Sequence, residues 1–356
     1  MKIFIDIGHP AHVHYFKNLL NRLSGVGYEF VITARDKEMS HYLLKELNFN
    51  FYDRGKGAKA LLGKIFYTFK ADKQLYRLAK SEQPDLFLSF GSPYAAHVSF
   101  LLRKPHLVID DTENATLGQF MYRPFSECIL TPDCFKKDFG KKQIRFPSYM
   151  ELSYLHPNVF TPDKSILNYL GINEDEKYTI LRFVDWGAVH DLGHTGITLE
   201  NKIKAVQTFS KFSKVFISSE SELPDELKEY KLNIPKHHIH HAIAYSSMFY
   251  GESATMASES AVLGVPAIYL DNEGRGYTDE IEEKFGLVFN FSESEEDQKK
   301  SINKGAEILK QDVSEWRQKR TKLLEEKIDV TNFLENFIKH YPSSKTNYQE
   351  FFVDRK

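Results

Sequence analysis

Only two cysteines, Cys128 and Cys134, occur in 356 residues. That is too few for a disulfide scaffold, and neither has the cysteine or histidine company of a zinc site. No run approaches the roughly 18 apolar residues that a membrane-spanning helix needs. An excess of one charge is also missing. The net charge of −2 gives no global reason to expect nucleic acid or a broadly basic membrane face. Asp6 and His9 interrupt the first apolar run, so the start of the chain reads as a buried strand rather than a signal peptide. A short internal repeat is absent as well. What remains is a soluble globular composition, 42% hydrophobic and 27% charged, long enough for two domains, with a cytoplasmic setting as the expectation.

Strand and helix patterns alternate through the first half. Lys2–Ile7, Tyr28–Thr33, Phe49–Tyr52, Asp85–Ser89, His106–Ile109 and Cys128–Leu130 read as strands. Ala11–Leu23, Glu38–Leu47, Lys56–Ser81 and Tyr94–Leu102 read as helices. Between Thr131 and Pro162 the regularity fails, and four prolines with several lysines suggest loops and a connector. Alternation resumes with strand Tyr178–Val184, helix Leu199–Phe212, strand Lys214–Ser218 and helix Pro224–Leu232. Strand Gly286–Phe289 follows, and then helices near Glu295–Leu309, Val313–Glu326 and Asn332–His340, with Tyr341–Lys356 as a tail. Apolar strands alternating with helices predict an α/β protein: two doubly wound, Rossmann-like domains facing across a cleft. The expected division is 1–155, 156–325, and a terminal segment 326–356 that packs back on the first domain.

In open α/β sheets ligands sit beyond the carboxyl ends of the strands, and the chemically able residues collect there. After the first strand come Gly8-His9-Pro10-Ala11-His12-Val13-His14. Histidines at a helix start suit a general base near neutral pH, and His12 and His9 are the candidates. Metal binding lacks a matching carboxylate or cysteine pattern, and a capping role is the other alternative. Gly91-Ser92-Pro93 follows the fourth strand. The fifth runs into Asp110-Asp111-Thr112-Glu113-Asn114, where Asp111 and Glu113 are candidate catalytic carboxylates or else solvated turn residues. Strand Tyr178–Val184 carries Arg182, suited to a diphosphate or to a strand-end ion pair. It leads to Asp185-Trp186-Gly187-Ala188, where Gly187 would let the backbone approach a ligand. Asp271–Gly276 forms another polar loop on this edge. A second histidine group, His237, His238, His240 and His241, reads as cleft or surface lining.

The most telling stretch is Phe249–Asp271, FYGESATMASESAVLGVPAIYLD. A strand, a Gly251-Glu252-Ser253 turn and a helix lined by Ala254, Ala257, Ala261 and Gly264 precede another strand. The helix start, Ser253 to Thr255, presents unpaired backbone N–H groups and a partial positive charge to a phosphate. Glu259, six residues past Ser253, can accept from a ribose diol; facing water in an ordinary crossover is the alternative. Elsewhere, Arg54–Lys80 interleaves eight basic residues with apolar and aromatic ones. That pattern fits either a peripheral membrane contact or a solvated helix face.

KIFIDIGHPAHVHYFKNLL, LRFVDWGAVHDLGHTGI and GESATMASESAVLGVPAIYL together resemble the domain of unknown function 354 family. That family looks like a branch of the GT-B nucleotide-sugar enzymes. The last motif is similar to the donor-binding motif of the lipid-linked N-acetylglucosaminyltransferase of peptidoglycan synthesis. The resemblance implies that Glu259 meets the donor ribose, that His12 is the loop histidine of the N-terminal domain, and that Gly187 lies in a second glycine-rich loop. It implies a nucleotide-sugar donor in the C-terminal domain and a glycan or lipid-linked acceptor in the N-terminal one. No cofactor or obligatory metal is implied. The chemistry would be glycosyl transfer at the anomeric carbon. This chain departs from the pattern in having one glycine in its first loop and few in Asp185–Ala188. A UDP-N-acetylhexosamine 2-epimerase shares the architecture, although the histidine- and arginine-bearing loop of that family is not evident in DWGAVHD. A nucleotide-sugar-binding protein without chemistry is the third reading.

Overall fold

The computed structural model describes residues 1–37, 39–58, 61–184, 196–219 and 222–352, leaving aside the side chains of 61, 62, 64 and 65. The chain divides into two compact units, Met1–Val159 with Ile328–Lys356, and Phe160–Lys327.

The first unit is built on seven strands: β1 (Lys2–Ile7), β2 (Glu29–Ala34), β3 (Tyr52–Asp53), β4 (Leu86–Phe90), β5 (His106–Ile109), β6 (Cys128–Pro132) and β7 (Gln143–Phe146). All pair in parallel in the order β3-β2-β1-β4-β5-β6-β7. The second has β8 (Tyr178–Phe183), β9 (Lys214–Ser219), β10 (Met248–Gly251), β11 (Ala267–Leu270) and β12 (Val288–Phe291), parallel in the order β12-β11-β10-β8-β9. Central strands are buried on both faces, as their unbroken apolar runs require. Phe4 of β1 stacks on Phe87 of β4 with ring centroids 5.0 Å apart, at the heart of one core cluster.

Several boundaries differ from the sequence expectation. Thr131–Pro162, read as connector, contains the edge strand β7 and the short helix Leu152–Leu155. The Gln-Ile-Arg-Phe of β7 alternates because only one face is covered, and four residues of alternation are a weak signal. Pro224–Leu232 is a 3-10 turn, Asp225–Tyr230. The tail holds two helical turns, Ser344–Asn347 and Tyr348–Phe351.

Ile328–Lys356 belongs to the first unit for traceable reasons. Asp329 caps the helix Val330–Lys339 by accepting from Asn332 N–H at 3.0 Å. It also takes a hydrogen bond from Asn158 at 3.3 Å and faces Arg22 at 3.7 Å. Phe333 packs on Phe146 of β7 at 5.3 Å, and Thr331 Oγ1 donates to the Ser153 carbonyl at 2.6 Å.

His106 is fully buried, its Nε2 on Ser89 Oγ and its Nδ1 on Ser126 Oγ, both at 2.9 Å. Burial lowers its pKa from 6.5 to about 3. Since the folded value lies below the unfolded one, folding must exclude a proton that the unfolded chain takes up below about pH 6.5. Stability therefore falls as the pH drops from there toward 3, by about 2 kcal/mol at pH 5 from this residue alone. Urea unfolding at pH 7 and pH 5 should show that His106→Gln reduces the acid-induced loss by about that amount. An unchanged loss would contradict the burial argument.

Candidate functional site

Each sheet has one point where the chain reverses its direction of strand addition. In the first unit it lies between β1 and β4, and in the second between β8 and β10. In open α/β sheets such a point is the usual ligand position.

At the second unit's switch point, Gly251 pairs with Arg182 of β8 and Tyr269 of β11. A Cβ at Gly251 would stand 2.2 Å from the Arg182 carbonyl oxygen, so glycine is required by strand packing. Glu252 is buried. Its Oε2 accepts from Val184 N–H at 2.9 Å and its Oε1 from Ile197 N–H at 2.6 Å. One carboxylate thus holds both flanks of 185–195. Ser253 is the N-cap of the ten-residue helix Ala254–Leu263, its Oγ accepting from Met256 N–H at 3.3 Å. Thr255 lies half-buried in the first turn. Arg182 donates from Nη1 to Ser218 Oγ on β9 at 3.0 Å.

Glu259 is 5% exposed and His240 3%. His240 Nε2 donates to Glu259 Oε1 at 2.9 Å, linking the helix Ile239–Tyr245 to the small-residue helix. The second histidine group is therefore split: His240 is interior, while His241 accepts from Asp163 N–H at 3.0 Å and packs on Phe160. His240 was not singled out from its neighbours because four histidines in five positions carry no helical phase. The loop Asp271–Gly276 closes on itself: Asp271 accepts from Gly274 N–H at 3.1 Å and Arg275 faces Glu273 at 3.5 Å. Gly187, with Asp185, Trp186, Ala188, His190, Asp191 and His194, lies outside the described residues.

At the first unit's switch point, His9 is the N-cap of the helix Pro10–Ser24. Its Nδ1 accepts from Ala11 N–H at 3.2 Å. His12 Nδ1 accepts from Gly8 N–H at 3.3 Å. A backbone N–H can only donate, so each neutral imidazole carries its proton on Nε2. Burial, and then the nearby charges of His9, Lys37 and Arg54, hold the His12 pKa well below 6.5. In this geometry both rings offer Nε2–H donors. His14 stacks on Tyr154 at 5.3 Å.

Beneath them lies Asp6, at the end of β1 and fully buried. Its oxygens accept from Thr33 Oγ1 at 2.7 Å and Ser92 Oγ at 2.5 Å, and Arg54 Nε faces it at 3.3 Å. A charge closing the run Lys2–Ile7 was the available sequence signal for this network. Beyond β5, Asp110 is buried on Tyr122, Gln119 and Thr112 N–H, and burial raises its pKa to about 6. Asp111, also buried, accepts from Thr112 Oγ1 at 2.9 Å, and Glu113 accepts from Lys136 N–H at 3.3 Å. The histidine and carboxylate loops leave strands β1 and β5, which flank β4, so about 10 Å separates their strand ends.

Glu252→Ala should release Val184 and Ile197 N–H, an unmet buried donor each. Amide hydrogen exchange should then quicken at these two positions by roughly tenfold or more, while the β1 amides keep their protection. Unchanged rates at both positions would show that Glu252 does not hold them.

The fold is that of solved structures of low sequence identity. One is a UDP-GlcNAc 2-epimerase from Neisseria meningitidis bound to UDP-GlcNAc (TM-score 0.69, 15% identity, 96% of this chain and 100% of that one). Another is the spinosyn rhamnosyltransferase SpnG complexed with spinosyn aglycone (TM-score 0.62, 12% identity, 95% and 99%). Both share the GT-B arrangement of two Rossmann-like domains. An uncharacterized protein of Methanocaldococcus jannaschii is 25% identical over 278 residues, 75% of this chain and 81% of its own. Among the described residues no helix is long and apolar enough to cross a membrane. The family model described as protein of unknown function (DUF354) matches residues 1–329, and the chain belongs to that family.

Proposed function

We propose that the protein is a glycosyltransferase that takes a nucleotide-diphosphate sugar on its second unit and moves the sugar to an acceptor on its first. The observation that carries this reading is Glu259, a carboxylate buried on the helix that starts at the β8/β10 switch point and fixed there by His240. An ionised carboxylate has room for about four donors, and in the proposal the ribose diol is among them. The diphosphate would lie against the Ser253–Thr255 helix start, with Arg182 beside it. Helix dipole and guanidinium neutralise its charge in this scheme, which assigns no metal ion.

On the first unit, His12 cannot accept a proton at Nδ1 without giving up Gly8 N–H, and its Nε2 already carries one. Its role in the proposal is therefore a donor that, with His9, holds an acceptor or sugar oxygen. The acceptor hydroxyl proton then goes to a carboxylate of the β5 loop, Asp111 first and Glu113 second. The acceptor class we favour is lipid-linked. Phe66 and Phe69, 74% and 70% exposed, stand on the basic helix Leu61–Glu82 and favour a contact with the membrane surface.

Epimerisation is the second reading, favoured by the likeness to the UDP-GlcNAc 2-epimerase fold. Incubation with UDP-GlcNAc alone in heavy water separates the two, because only an epimerase places deuterium at C2 of the sugar. We expect none there.

Glu259→Gln should weaken UDP binding by roughly tenfold or more, measured calorimetrically. Asp111→Asn should lower kcat by about 10²–10⁴ with donor affinity within about twofold of the parent. Unaltered UDP affinity in the first variant would remove the donor assignment. Unaltered kcat in the second would remove the base.

A further inference from the structure

The first unit holds a group of buried donors that no acceptor among the described residues satisfies: Nε and Nη1 of Arg54, Nε of Arg35 and the Tyr67 hydroxyl. Arg54, directly after β3, is 2% exposed. Its guanidinium lies 4.6 Å from the Tyr94 ring centroid and 5.9 Å from that of Tyr67, and those two rings meet edge to face at 5.8 Å. Asp6 balances its charge at 3.3 Å, although off the line of the Nε–H, and Asp6 already accepts from Thr33 and Ser92.

Arg35, directly after β2, lies against Gly57 so closely that a Cβ there would come within 2.1 Å of its Nη2. Burial raises the Tyr67 and Tyr94 phenols above 10, and the charges of Arg54 and Arg35 pull both the other way, which places the two guanidinium groups around the same pair of rings. A Cβ on Gly8 would stand 3.8 Å from Arg54 Nη2 and 3.7 Å from the His12 ring, so the donor cluster borders the β1 loop. Lys37 adds a further positive charge near His12. Asp36 and Asp53 are turned to His41, at 3.9 and 3.5 Å.

Unspent donors of one kind, on a surplus of positive charge, call for an acceptor-only ligand. They arrive from three elements, the ends of β2 and β3 and the helix Leu61–Glu82. Two arginine forks and a phenol drawn from three elements suit a tetrahedral oxyanion better than a planar carboxylate. We propose that this donor cluster at the carboxyl ends of β1, β2 and β3 binds a phosphate monoester group carried by the acceptor, either on a lipid or on a soluble molecule. The assignment to the acceptor rests on reading the first unit as the acceptor side; the phosphate site itself does not.

Calorimetry on the full chain with inorganic phosphate, and flotation with phosphatidylcholine vesicles with and without phosphatidic acid, test the soluble and lipid sources separately. UDP and glucuronate are titrated alongside. Arg54 is left intact because its loss would strand Asp6. Binding in at least one phosphate arm should weaken roughly tenfold in Arg35→Gln and several-fold in Tyr67→Phe, with UDP affinity within about twofold. Phosphate binding that ignores both substitutions, absence of binding in both arms, or glucuronate binding as tightly as phosphate would overturn the proposal. Should UDP fail to bind while phosphate behaves as stated, the nucleotide-sugar reading falls and this site stands.

Discussion

A parallel strand can follow another only through a crossover that returns the chain to the same end of the sheet. That constraint organises both units. With all twelve named strands in parallel pairings, each sheet gathers the residues that leave its strands on one edge. Where strand order reverses, two such loops part and leave room for a ligand. The histidines after β1, Ser92 after β4, Arg182 near the end of β8 and Ser253 after β10 owe their positions to this rule alone.

Several polar groups on those edges are occupied with backbone. Glu252 spends both oxygens on the flanks of 185–195, His9 and His12 each spend Nδ1 on an N–H, and Asp110 closes its own loop. This is what burial demands, since an unmet polar group costs more than a satisfied one returns. It also fixes chemistry. An imidazole whose Nδ1 accepts carries its proton on Nε2, so such a bond selects the tautomer. Glu259 pairs with another side chain, one helix away.

Much of this was legible beforehand. Lys2–Ile7 and His106–Ile109 match their expected limits, and the Val313–Glu326 helix was read residue for residue. Long apolar or periodic runs carry their own label. The edge strand β7 was hidden in a stretch rich in proline and lysine, and the two-residue β3 lies later than expected, because edge and short strands bury too little to leave a pattern. At the sites, Gly251 reads in the sequence as part of a turn, whereas the structure explains it by the approach of Arg182 across the sheet. Arg54 was seen only as one basic residue in a basic segment. Its burial between two tyrosines needs partners 13 and 40 residues further along the chain, on two different helices.

The sequence by itself determined the α/β class, the strand-then-loop positions of the chemically able residues and the small-residue helix that carries Glu259. Those features are local, written in hydrophobic period and turn chemistry within about ten residues. Only the tertiary structure decided which polar groups are already satisfied and which are not. His240 meets Glu259 across 19 positions, Arg54 faces Asp6 across 48, and Glu252 reaches Val184 across 68. Such pairings follow from strand order and helix packing, and nothing in the spacing of residues along the chain encodes them.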